Sequence, residues 1–218
     1  PSAQGRGRFR EAAGLSPWRL ARPVAVFGLM VALMVAFAAY APAIIARGIC
    51  SGSGRFKDYA IVMGSDGVVR IAVFSEVYWP MVSGVGVTLL RLTRALEERG
   101  HQVRVYSASY PLANGQIERS EVHRSPSVPL FLYPDVQWAF PRLREVMDDV
   151  VRFRPDVVHL ATEFALGITG LKVARQLRAP IIASAHTDYE QYAARYGVDW
   201  AVRAGWRYLR WFYGQSYR

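Results

Sequence analysis

Three short segments hold side chains whose chemistry exceeds what packing needs, and each follows an apolar run. The first is EVYWPMVSGVGV at 76–87, in which Ser83-Gly84-Val85-Gly86 leads directly into a helical pattern. Amides bared at such a turn, backed by the positive end of a helix dipole, suit an anion such as a phosphate. The second segment is Ala161-Thr162-Glu163-Phe164, and the third is Ala185-His186-Thr187-Asp188-Tyr189. His186 ends a run of small and β-branched residues, and a ring at a strand tip is better placed for a ligand than for a core. Thr187 and Asp188 give it polar neighbours. His159, set between Val158 and Leu160, reads instead as a structural histidine within a strand.

Stepping outward, the elements that would carry these segments alternate in type. VVRIAVF at 68–74 is a short β-branched run suited to a buried parallel strand. Val85, Leu89, Leu92 and Leu96 then recur at helical spacing, with Gly100 where a C-cap belongs. HQVRVY at 101–106 is the second strand. Residues 107–141 are irregular and dotted with proline, apart from a short strand pattern at 121–124. A helix starting at Pro141 would bury Leu143, Val146, Met147, Val150 and Val151 before Pro155 stops it. DVVHL at 156–160 is a strand, Ile168, Leu171, Ala174 and Leu177 mark a helix, and PIIAS at 180–184 is the next strand. Such alternation implies a Rossmann-like, doubly wound parallel sheet with right-handed crossovers. Ligands bind beyond the carboxyl ends of such strands, so the three segments should meet at one edge.

A dinucleotide fingerprint fails in the first segment. Leu89 stands at the third glycine position, nine residues separate Phe74 from Gly84, and Tyr106-Ser107 offers no acid for a ribose. Nucleic acid is a poor match as well, because the chain has no zinc-ligand spacing, no RNP-type aromatic motif and no long basic block. The net charge of +10 is instead concentrated at the start, with +6 on residues 1–62. Cys50 is the single cysteine, which excludes an internal disulfide, and nothing beside it has metal-ligand spacing.

Residues 1–62 read as an extension ahead of a domain spanning 63–218. Residues 24–45 are 22 uncharged positions, about 33 Å as a helix and enough to cross a bilayer. A transmembrane anchor, a signal peptide ending near Ala39-Tyr40-Ala41, and a segment foreign to the domain are the three readings open here. Five arginines before the span against three basic residues after it would put the N-terminus in the cytoplasm. At the other end, Asp199 would cap a helix carrying Trp200, Trp206, Tyr208, Trp211 and Phe212, with Arg203, Arg207 and Arg210 on one stripe. Its aromatic residues either pack on the domain or face an anionic lipid surface.

Taken together, RIAVF, the glycine loop, LTRALEERGHQVRVYS at 92–107, FRPDVVHLATEFALG at 153–167 and APIIASAHTDYEQYAARYG at 179–197 resemble family 4 glycosyltransferases over residues 68–218. Bacterial mannosyltransferases and sulfolipid or glycolipid synthases carry similar motifs in the same order. The resemblance implies the N-terminal half of a GT-B fold, with the donor domain lying beyond this chain. It implies a retaining transfer from a nucleotide sugar, without an obligatory metal or a bound cofactor, and GDP-mannose is the donor the mannosyltransferases suggest. Ser83, Gly84, Val85 and Gly86 would lie against the donor diphosphate, and His186 would approach the transferred sugar. Tyr78, Thr162, Glu163, Thr187, Asp188 and Tyr192 would shape the pocket for a lipid or sugar acceptor. Glu163 stands where relatives often carry proline, and Ala161 where many carry a second histidine. The location implied is a membrane surface with the catalytic domain in the cytoplasm. Two other readings are a noncatalytic membrane-tethered binding module and a nucleotide-dependent oxidoreductase.

Overall fold

The computed structural model describes residues 67–111, 121–130, 133–186 and 199–216. The stretch at 24–45 lies outside them; among the described residues no helix is long and apolar enough to cross a membrane.

Five strands form one sheet in which every neighbouring pair is parallel. They are β1 (Arg70–Ser75), β2 (Gln102–Ala108), β3 (Glu121–Ser125), β6 (Val157–Leu160) and β7 (Ile181–Ala183), in the order β3-β2-β1-β6-β7. Helix α1 (Gly84–Glu98) joins β1 to β2, α2 (Leu143–Phe153) precedes β6, and α3 (Ala165–Leu177) joins β6 to β7. A last helix, α4, runs over Asp199–Tyr213.

Strand alternation sorts the sheet's side chains into two cores. Ile71, Val73, Val103, Val105 and Val157 pack with Leu89 and Tyr78 on the α1 face. Ala72, Phe74, Tyr106, Val158 and Leu160 pack on the opposite face with α2, α3 and α4. The α/β architecture with a central parallel sheet, covered on both faces, is therefore the one the alternating pattern implies. The end of α1 also follows expectation: Gly100 has φ +85°, and its amide and that of His101 return to the carbonyls of Glu97 and Leu96. These two bonds are a Schellman closure, which a residue with free access to positive φ allows.

Two expectations need correction. Leu143 and Val151, expected in the core, are 41% and 48% exposed, and Leu92, on the helical repeat of α1, is 38% exposed. Each helix is anchored by a narrower stripe, Leu89 for α1 and Val146 with Val150 for α2, and its outer rows face solvent. Residues 127–130 and 133–139 are not irregular either, because β4 (Ser127–Leu130) and β5 (Tyr133–Ala139) pair antiparallel. Pro129 and Pro134 concealed it, since proline is excluded from central strands and tolerated where one edge needs no ladder bond.

Helix α4 settles inward by its aromatic side. Tyr208, Leu209 and Phe212 are buried, whereas Arg207 and Arg210 are exposed. Packing on the domain thus accounts for Tyr208 and Phe212.

Close approach of α3 to the sheet depends on two glycines. A Cβ on Gly170 would lie 2.6 Å from the Phe74 ring and 2.7 Å from Leu160, and one on Gly167 would lie 1.8 Å from the Thr162 carbonyl oxygen.

Candidate functional site

From β1 the chain winds through α1 to β2 on one side, and from β6 through α3 to β7 on the other. The β1/β6 boundary is therefore the switch point at which a wound sheet opens a crevice past its carboxyl ends. All three chemistry-bearing segments leave from that rim, as parallel pairing requires.

The loop after β1 is tied to the loop after β6 by a buried carboxyl group. Glu76 is 3% exposed. Its amide donates to Thr162 Oγ1 at 3.0 Å, and the Thr162 hydroxyl donates to Glu76 Oε2. The Leu166 amide, in the first turn of α3, donates to Glu76 Oε1 at 2.5 Å. Phe164, at the N-cap of α3, makes no side-chain cap bond, so Glu76 caps this helix from another strand. The Tyr110 hydroxyl donates to the Glu76 carbonyl oxygen at 3.1 Å. Burial pushes the Glu76 carboxyl up to about 7, against the bonds from Thr162 and Leu166, and the nearby Glu163 charge adds to the rise.

Glu163, 4% exposed, takes the Tyr213 hydroxyl on Oε1 and the Tyr208 hydroxyl on its carbonyl oxygen. The second segment is thereby held by α4 as well as by β1. Thr162 and Glu163 are both committed to buried partners, and so is Tyr78, 1% exposed with its hydroxyl 2.9 Å from Thr93 Oγ1. These three frame the site from within its walls.

On the β6/β7 side a serine stands between two imidazoles. Ser184 Oγ is 2.8 Å from His159 Nε2 and 2.8 Å from His186 Nε2. His159 pairs in register with Ile182, and Ser184 directly follows that strand. Burial, with His186 adding to it, lowers His159 to about 4, and burial lowers His186 also. Both rings are therefore neutral at pH 7. His186 is half-buried at the open end, and His159 is 8% exposed beneath it.

At the mouth of α1, Ser83 is the N-cap and its Oγ accepts from the Gly86 amide at 3.0 Å. Gly86 must be glycine there, since a Cβ would lie 2.6 Å from the Met81 carbonyl oxygen. With Gly86 capped, the first-turn amides of Gly84 and Val85 are the ones helix geometry leaves over for an anion. Gly84 is exposed and faces open space.

Thr187, Asp188 and Tyr192 lie outside the described residues. Glu76, Ser184 and Tyr110 were not singled out by sequence reasoning. For Glu76 the signal was a charge directly after a buried apolar strand, and for Ser184 a hydroxyl two residues before a strand-tip histidine. A surface hollow of about 300 Å³ elsewhere is lined by Arg104, Glu121, Val122, His123 and Asp149. Its Arg104 is paired with Glu121 and Asp149, so the hollow offers no unmatched charge.

Residues 82–218 match the family described as Glycosyltransferase Family 4. An alpha-monoglucosyldiacylglycerol synthase of Streptococcus pneumoniae is 35% identical over 124 residues, covering 57% of this chain and 28% of that protein. A GDP-mannose-dependent alpha-mannosyltransferase of Mycolicibacterium smegmatis is 36% identical over 155 residues, covering 69% of this chain and 41% of that protein. The corresponding Mycobacterium tuberculosis protein is 33% identical over 146 residues, 65% of this chain and 38% of its own length. The chain thus spans less than half the length of each of these relatives.

Proposed function

The chain belongs to glycosyltransferase family 4, and from that membership we propose that it is the N-terminal, acceptor-side half of a retaining GT-B enzyme moving a hexose from a nucleotide sugar to a lipid acceptor. The observation that carries this reading is the shared rim, where the α1 mouth, the Glu76–Thr162 tie and the His159–Ser184–His186 array all leave the carboxyl ends of adjacent parallel strands. The relatives named for GDP-mannose and for glucosyldiacylglycerol support a hexosyl donor and a lipid acceptor, with GDP-mannose preferred here.

Such a transfer builds charge on the leaving diphosphate and partial positive charge on the sugar ring. The Gly84 and Val85 amides, aligned with the α1 dipole, would stabilise the former without reorganising. His186, neutral and at the rim, would hydrogen-bond the transferred hexose and fix its position. Thr187, Asp188 and Tyr192 follow it in the chain and would line the acceptor side, with Tyr78, Thr162 and Glu163 supporting the walls. A donor-binding domain following Arg218 would complete the cleft. Exposed Arg207 and Arg210 on α4 favour contact with an anionic membrane face.

The test is His186→Ala in the full-length enzyme, assayed with GDP-mannose and vesicles containing phosphatidylinositol or diacylglycerol. Turnover should fall at least about tenfold, as for a lost transition-state contact, with the melting temperature held. Wild-type turnover in the variant would remove His186 from the reaction.

A further inference from the structure

We propose that Ser184 is a positioning residue that locks His186 through Nε2 and holds His159 and His186 in opposite tautomers. The inference rests on the role given to His186 above and adds the device that orients it.

A serine hydroxyl carries one proton and two acceptor lone pairs. Standing 2.8 Å from both Nε2 atoms, it can donate to only one of them, and with its proton kept inside the array it accepts from the other. The ring that donates to Ser184 carries its proton on Nε2. The ring that accepts from Ser184 has a bare Nε2 and carries its proton on Nδ1. Neither ring is free to choose alone.

His159 cannot act as an ion here. It is 8% exposed, in a strand between Val158 and Leu160, both fully buried. A buried neutral ring of this kind is a fixed partner for the hydroxyl, and the hydroxyl in turn fixes His186. With Nε2 engaged, Nδ1 is the nitrogen left for a ligand, so ring orientation at the rim is decided by Ser184. Reversing both hydrogen bonds with the rings kept neutral takes four moves: one proton from His159 Nε2 to Ser184, one from Ser184 to His186 Nε2, one gained at Nδ1 of His159 and one lost from Nδ1 of His186, or the converse. That changes Nε2 of His186 between acceptor and donor, and a matching shift at Nδ1 requires exchange with the ligand or solvent. Within one such state the Nδ1 character is set, which is the preorganisation a sugar hydroxyl would meet.

Imidazole 15N spectra of the full-length protein at about pH 8, above the ordinary histidine range, test the array without any turnover. The expected result is one of the two rings protonated on Nδ1 and the other on Nε2; the same tautomer in both rings would overturn the proposal. Kinetics provide the second arm. Ser184→Ala should lower kcat about tenfold with KM for the donor nearly unchanged, and Ser184→Thr, which keeps the hydroxyl, should restore it. Full kcat in Ser184→Ala would overturn the positioning role even if His186→Ala is inactive. Loss of the His186→Ala effect would instead sink the site reading, and the 15N spectra would still decide the tautomer pairing.

Discussion

Gly167→Ala is expected to destabilise the protein by at least about 3 kcal/mol, beyond the ordinary range for overpacking, and to lower Tm by roughly 6 to 12 °C. The added methyl would sit 1.8 Å from the Thr162 carbonyl oxygen, 2.9 Å from its carbon and 3.1 Å from Phe212 Cζ. A clashing side chain can rotate away, but a backbone carbonyl moves only with its loop. That loop holds Thr162 on Glu76 and Glu163 on Tyr208 and Tyr213, so relief would break the ties that join β1, β6 and α4. Gly84→Ala is the matched control, since a Cβ there meets nothing within 4 Å. Its stability should stay within about 0.5 kcal/mol of wild type or rise slightly, as an unfolded-state effect of losing glycine. Thermal and urea unfolding of the two variants measure the contrast. Equal Tm values would mean that α3 does not approach the Thr162 loop as described.

Glu76 should make stability fall as pH rises from about 4.5 to about 7. In the unfolded chain its carboxyl ionises near the ordinary 4.5, whereas the folded carboxyl keeps its proton up to about 7. Between those values the folded state binds more protons than the unfolded state. The contribution is therefore full below the lower value and is lost on passing the upper one, roughly 3 kcal/mol in all. Glu76→Gln keeps a neutral acceptor for the Leu166 amide and cannot ionise. Relative to wild type, the variant should gain stability steadily from about pH 4.5 to about pH 7. Comparing the two proteins by urea unfolding cancels the titration of groups remote from the site. A difference that is flat with pH would show that Glu76 is ionised in the fold and that burial does not dominate its environment.

How much of this was legible in the sequence followed the range of the interaction. Short apolar, β-branched runs at Ile71 and Val158 announced central parallel strands, because both faces of such strands are buried. The small glycine at 100 announced the end of α1 for an equally local reason. The β4–β5 pairing was hidden by prolines that normally argue against strands, and the exposed rows at Leu92 and Val151 by apolar residues that satisfy the helical period without touching the sheet. At the site, His186 and the Ser83–Gly86 turn were visible because a strand tip and a helix mouth are local features. Glu76 was not, since its partners Thr162 and Leu166 lie 86 and 90 residues away. Ser184 acquires meaning only once His159, 25 residues earlier, is brought beside it by β6–β7 pairing. Gly167 and Gly170 looked like ordinary helix positions, and only their contact with Thr162, Phe74 and Leu160 explains why no side chain fits.

A crystal structure of the full-length protein with a non-transferable GDP-mannose analogue would probe the switch-point cleft most directly. The account predicts the diphosphate against the Gly84 and Val85 amides and the hexose within hydrogen-bond reach of the His186 ring, about 2.6 to 3.2 Å. A nucleotide sugar seated away from that rim, for instance in the hollow beside Arg104 and Glu121, would contradict it.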